Sequence, residues 1–263
     1  MFQIQSRQEE GQTFIDLLGP KAIIQCTINA TQGANLSSFS ILWEGQKIQL
    51  IDGYQKPKEF VHNEGFKSSK LIPFPNRINK GKYRFNDQAY QLDINFPIQG
   101  HAIHGLIFNS AYQIIRQEAN ATQAMLELQT DYPGSSAFPF PFLCSQTFTL
   151  NADGLTIKTR VANIGLETMP FGDGWHPYFC FAYTAVNDYT LRIPKVQKIE
   201  VDELMIPTGA LSDFTDFTEE SFIHDVAFDT GFLVDVSEGS VATILKHAPS
   251  GLGISVWQDE NYP

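Results

Sequence analysis

The spacing of apolar residues constrains this chain more than any other feature. Gln146-Thr147-Phe148-Thr149-Leu150 alternates polar with apolar, Asn151-Ala152-Asp153-Gly154 supplies turn formers, and Leu155-Thr156-Ile157-Lys158-Thr159-Arg160-Val161 alternates back. A period of two sets one face of a strand against a core and the other in water, so this stretch predicts a β-hairpin. The same grammar recurs. Ala22-Ile23-Ile24-Gln25-Cys26-Thr27-Ile28 is rich in strand formers, and Ser40-Ile41-Leu42-Trp43-Glu44-Gly45-Gln46-Lys47-Ile48 enters a turn. Gly81-Lys82-Tyr83-Arg84-Phe85 and Ala89-Tyr90-Gln91-Leu92 flank the polar turn Asn86-Asp87-Gln88, which predicts a second hairpin. Strands are also expected over 124–130 and 253–257, and a short helix over 217–226. The polar stretch 52–70 and the proline-rich 133–141 read as loops. Many short strands with few helices make an all-β sandwich or barrel. Composition does not shift across either loop and no fixed-period repeat occurs, so a single domain over 1–263 is expected.

With 43% hydrophobic and 13% aromatic residues, the 263-residue chain can build a sizeable core. A formal charge of −11 and a pI near 4.9 argue against nucleic acid and anionic membranes as partners, because the field repels phosphates. Cys26, Cys144 and Cys180 are widely spread and form no Cys-x-x-Cys pair, so neither a disulfide framework nor a thiolate zinc site is indicated. The first residues, Met1-Phe2-Gln3-Ile4-Gln5-Ser6-Arg7, lack the basic-then-apolar pattern of a signal peptide, and no apolar run is long enough to span a bilayer. A cytoplasmic protein with reduced thiols is the expectation.

Four places interrupt the strand pattern with polar residues in special settings. In Phe171-Gly172-Asp173-Gly174-Trp175-His176-Pro177-Tyr178-Phe179, glycines and a proline specify the backbone around His176. That histidine reads as a general acid or base, or as a core residue in an aromatic cluster. In Pro73-Phe74-Pro75-Asn76-Arg77-Ile78 a stiff turn anchors Arg77, which could hold a ligand or make a surface ion pair. Gly100-His101-Ala102-Ile103-His104-Gly105 sets two histidines at a glycine-bounded turn, where His-x-x-His could serve a metal in a cupin-like barrel. Asp229 lies between Phe228 and Phe232, where it either meets a hydrogen-bonding partner or caps a turn.

Taken together these positions resemble the aldose 1-epimerase (galactose mutarotase-like) family. The likeness rests on Asn76-Arg77-Ile78 with Lys80-Gly81 and Tyr83, on His104-Gly105, on Gly174-Trp175-His176-Pro177-Tyr178-Phe179, on Ile206-Pro207-Thr208-Gly209, and on Phe228-Asp229 with Phe232, in the family's order. The resemblance implies a large antiparallel β-sandwich, the galactose mutarotase-like supersandwich, that binds a sugar in an open cleft. It implies an isomerase that interconverts the anomers of a free aldose through ring opening, without cofactor or metal. It assigns the acid to His176, polarisation near the ring oxygen to His104, and hydroxyl binding to Arg77 and Asp229; His101 is then a neighbour only.

In the family a glutamate on a late strand is the general base, and the strand before it carries a sugar-binding glutamine. That pattern continues past Trp257-Gln258-Asp259-Glu260-Asn261-Tyr262-Pro263, so both strands are expected to be missing, and Glu260 comes too early for the role. A truncated chain, a replacement carboxylate such as Asp173 or Asp229, and a sugar binder without catalysis stay open as explanations. The first is favoured because ending on a newly completed strand leaves a raw sheet edge. The alternative function is accordingly a noncatalytic carbohydrate-binding domain of the same fold. An epimerase of phosphorylated hexoses fits less well with 18 Lys and Arg against 29 Asp and Glu. A glycosidase would need two facing carboxylates, and no such pair is evident.

Overall fold

The alternating segments form strands in the computed structural model, which describes residues 1–237 and 239–260. The chain divides into two units, Met1–Ala182 and Tyr183–Pro263. In the first unit β1 (Gln3–Glu9), β2 (Gln12–Leu18), β3 (Ile24–Asn29), β4 (Asn35–Trp43) and β5 (Gln46–Gln49) form a five-stranded sheet in chain order. Glu10-Gly11 and Glu44-Gly45, all with positive φ, close the β1–β2 and β4–β5 hairpins, which suits the right-handed twist of the strands.

The stretch 52–70, expected to be a loop, instead contains the one α-helix among the described residues, α1 (Pro57–His62). Pro57 presets the first turn, Glu59 Oε2 accepts the Gln55 and Lys56 N–H groups at 2.7 and 3.1 Å, and Asn63 at φ +49° ends the helix. Six residues are too few to show a helical period, which is why the sequence reading passes over it.

Short pairs follow: β6 (Arg77–Ile78) lies against β9 (Ala102–Ile103), and β7 (Lys82–Phe85) against β8 (Gln88–Gln91). A second antiparallel meander consists of β10 (Gln113–Ala119), β11 (Gln123–Tyr132), β12 (Phe142–Asn151) and β13 (Leu155–Asn163). The β12–β13 hairpin has Phe148 opposite Ile157 and Leu150 opposite Leu155, and Asn151 Oδ1 accepts the N–H groups of Asp153 and Gly154. Leu126, Leu128, Phe142, Phe148 and Leu150 from this sheet share one buried cluster with Ile15, Leu17, Ile28 and Leu36 from the first. Two sheets therefore meet face to face through their alternating inner residues.

The second unit contains β14 (Tyr189–Arg192), β15 (Val196–Val201), β16 (Pro207–Phe214), β17 (Ser221–Phe222), β18 (Phe232–Val234), β19 (Val241–His247) and β20 (Gly253–Gln258). They pair in the orders β17-β14-β19-β20 and β16-β15-β18, all antiparallel. The helix expected over 217–226 does not form. Phe217 and His224 have φ of +63° and +47°, and Phe222 sits opposite Thr190 in a sheet. Strand pairing prevails there over a weak local preference. The all-β class stands, with one short α-helix among the described residues.

Candidate functional site

The segment around His176 belongs to no regular strand, yet neighbouring chain holds it on both sides. Its own N–H donates to Ser69 O at 3.1 Å, and its carbonyl accepts the Ser68 N–H at 2.8 Å. Farther along, the Leu71 N–H reaches Gly174 O at 2.9 Å and the Asp52 N–H reaches Tyr178 O at 2.8 Å. The glycine before Trp175 has a packing cause: a Cβ on Gly174 would lie 2.9 Å from Pro75 Cβ. His176 is half-buried, with its ring 5.5 Å from that of Tyr178 and 5.1 Å from that of His104.

His104 is buried in a left-handed turn, at φ +64°. Its backbone N–H donates to Asn76 O at 3.0 Å, and its ring Nδ1 accepts the Asn76 N–H at 3.2 Å. With Nδ1 occupied as an acceptor, the neutral ring carries its proton on Nε2 and presents a donor there. Burial first, then the charges of His176 and Arg77, pushes the His104 pKa down to about 4. At neutral pH this imidazole is an uncharged donor.

Arg77 stands on β6 opposite Ile103. Its Nε donates to Gln99 Oε1 at 2.8 Å, its Nη1 donates to Asn76 Oδ1 at 3.0 Å, and its guanidinium lies 6.0 Å from the centre of the Phe96 ring. Asn76 thus serves twice, the backbone fixing His104 and the side chain fixing Arg77. The structure brings His104 and His176 together, with Arg77 near enough to act on the His104 charge.

Asp229 belongs to the second unit, exposed in the stretch between β17 and β18. Its neighbour Phe228 makes ring contacts with Phe214, Phe217 and Phe232 at 6.1, 5.6 and 6.3 Å. The apolar neighbours therefore pack with each other. His101 is wholly buried and uses Nδ1 to accept the Lys80 N–H at 3.1 Å. Among the described residues, no group of three or more His, Cys, Asp or Glu gathers where it could hold a metal ion. Cys26, Cys144 and Cys180 are buried thiols, and burial pushes the Cys144 pKa up to about 11, a setting that suppresses thiolate chemistry.

Sequence reasoning misses Gln99, Phe66 and the ion pair of Lys70 with Asp173 at 2.8 Å. Phe66 packs edge-on against His104 with ring centres 4.6 Å apart. The only local signal for it is the glycine before it; its partner lies on another segment.

The model of the aldose 1-epimerase family matches residues 22–262. The chain is similar to uncharacterized protein YihR of Escherichia coli K12, at 38% identity over 139 residues, 52% of this chain and 44% of that protein. It is also similar to the galactose mutarotase of Homo sapiens, at 24% identity over 174 residues, 64% of this chain and 49% of that protein. The matched segments thus span about half the length of these curated relatives. A galactose mutarotase-like protein from Clostridium acetobutylicum shares the fold with a TM-score of 0.86 at 18% identity, over 98% of this chain and 81% of that one.

Proposed function

Because the chain belongs to the aldose 1-epimerase family, we propose that it interconverts the α and β anomers of a free monosaccharide. Ring opening requires a base to take the proton of the C1 hydroxyl and an acid to protonate the ring oxygen; after the aldehyde rotates, closure reverses both roles. His176 is the acid in this reading, and solvent water takes the proton of the C1 hydroxyl. His104 donates from Nε2 and polarises the sugar near its ring oxygen, while Arg77 holds hydroxyl groups. The reaction calls for no cofactor.

The observation that carries the reading is the pair of imidazoles 5.1 Å apart, one of them locked by the Asn76 N–H as a neutral donor. Two rings at that spacing can address one sugar edge, one placed to act as acid and the other as a fixed donor. Polarimetry of freshly dissolved α-glucose or α-galactose tests it, with the spontaneous reaction as baseline. The protein should accelerate the change in rotation, and His176→Ala should lower kcat about 100-fold or more. Sugar binding with rotation at the spontaneous rate overturns the isomerase and leaves a carbohydrate-binding domain.

A further inference from the structure

Phe66 adopts φ +50°, a region in which a bulky side chain is strained. Its ring sits edge-on to His104 at 4.6 Å and to Phe108 at 5.1 Å. Both flanks of the residue are tethered. Tyr54 Oη donates to Glu64 O at 2.7 Å and accepts the Lys67 N–H at 3.2 Å, while Lys67 O accepts Asn35 Nδ2 at 2.6 Å. Lys67 Nζ pairs with Asp52 at 2.7 Å and lies 5.6 Å from the centre of the Tyr178 ring, itself 5.5 Å from His176. One short segment therefore reaches the surroundings of both histidines. Strained backbone persists where its surroundings over-determine it, and the tethers on Glu64 and Lys67 do that here.

We propose that Phe66 is a positioning residue of this site, held over His104 by the Tyr54 and Lys67 tethers so that the imidazole is screened from water and keeps Nδ1 on the Asn76 N–H. The inference rests on the reading of His104 as a site residue. Two charged or titratable groups act on His104, His176 from the segment before Pro177 and Arg77 from β6, and both disfavour a positive imidazole. Burial is the larger cause of its low pKa, and the Phe66 ring supplies part of that burial.

Phe66→Gly removes the ring and suits the left-handed backbone, so the fold is expected to survive. Phe66→Leu keeps an apolar cover, and Tyr54→Phe removes the hydroxyl that holds both flanks. The His104 ring resonance, followed by NMR, should titrate near pH 4 in the parent and about one unit higher in Phe66→Gly, with smaller upward shifts in Phe66→Leu and Tyr54→Phe. In polarimetry the acid limb of kcat should move up in pH by the same amount. A His104 titration unchanged in folded Phe66→Gly, or in Tyr54→Phe if the glycine variant does not fold, overturns the inference. If the titration moves but no protein accelerates mutarotation, the positioning role stands and the isomerase reading falls.

Discussion

Asn76 turns two separate site residues into one unit, because its N–H fixes the imidazole of His104 while its side-chain oxygen takes Nη1 of Arg77. The electrostatic consequence is a pH-dependent stability. His104 titrates near 6.5 when unfolded and near 4 when folded, so between those values the unfolded chain binds more protons. Its contribution is fully present above about pH 6.5, falls as pH drops, and is gone below about 4. After a discount for solvent on the open side of the ring, the loss is about 2 kcal/mol. His104→Gln keeps an acceptor for the Asn76 N–H but does not titrate, so urea denaturation at pH 7 and pH 4.5 should show a smaller pH difference in that variant by about this amount. At this scale the sequence is readable where local chemistry is unusual: His104, His176 and Arg77 all stand at turns built by glycine or proline. Lys70 and Asp173 stand 103 positions apart, and Gln99 meets Arg77 across 22, so their significance lies in long-range pairing that no local pattern records.

The elements follow the same division. Hairpins closed by Glu44-Gly45 and by Asn86-Asp87 are legible because alternation and turn chemistry agree there. Helix α1 is not legible because capping contacts, not periodicity, define it, and the false helix over 217–226 shows an apolar spacing overruled by pairing with β14. The turn that carries His104 depends on contact more than on conformation. Gly105 has φ +80°, and a Cβ there would lie 2.2 Å from Ile72 O, whereas Gly45 has φ +77° with nothing within 4 Å. Both glycine-to-alanine changes incur the left-handed strain of roughly 1–2 kcal/mol. Gly105→Ala must in addition separate two backbone segments, so its loss should exceed that of Gly45→Ala by about 2 kcal/mol or more. Urea midpoints at constant m-value measure the difference; equal losses would mean that the segment carrying Ile72 yields easily.

Across the whole chain, burial is unevenly shared between the two units. The main buried cluster, from Phe2 to Leu150, lies entirely within Met1–Ala182, and so does the smaller one of Phe14, Tyr54 and Phe60. In Tyr183–Pro263 the buried hydrophobic residues among those described are Tyr189, Ile193 and Val196, while Phe222, Leu233, Val256 and Trp257 are exposed. Ordering each residue costs roughly 1–2 kcal/mol of backbone entropy, and burying a large apolar side chain returns about 1.5–3 kcal/mol, so a unit with so few buried side chains cannot offset the cost of its own folding. Residues 1–182 expressed alone should therefore give a strand-rich circular dichroism spectrum and a cooperative thermal transition. Residues 183–263 alone should show neither. If the second fragment melted cooperatively by itself, the single domain proposed over 1–263 would have to be divided, and the apolar residues exposed on that unit would not be what limits its stability.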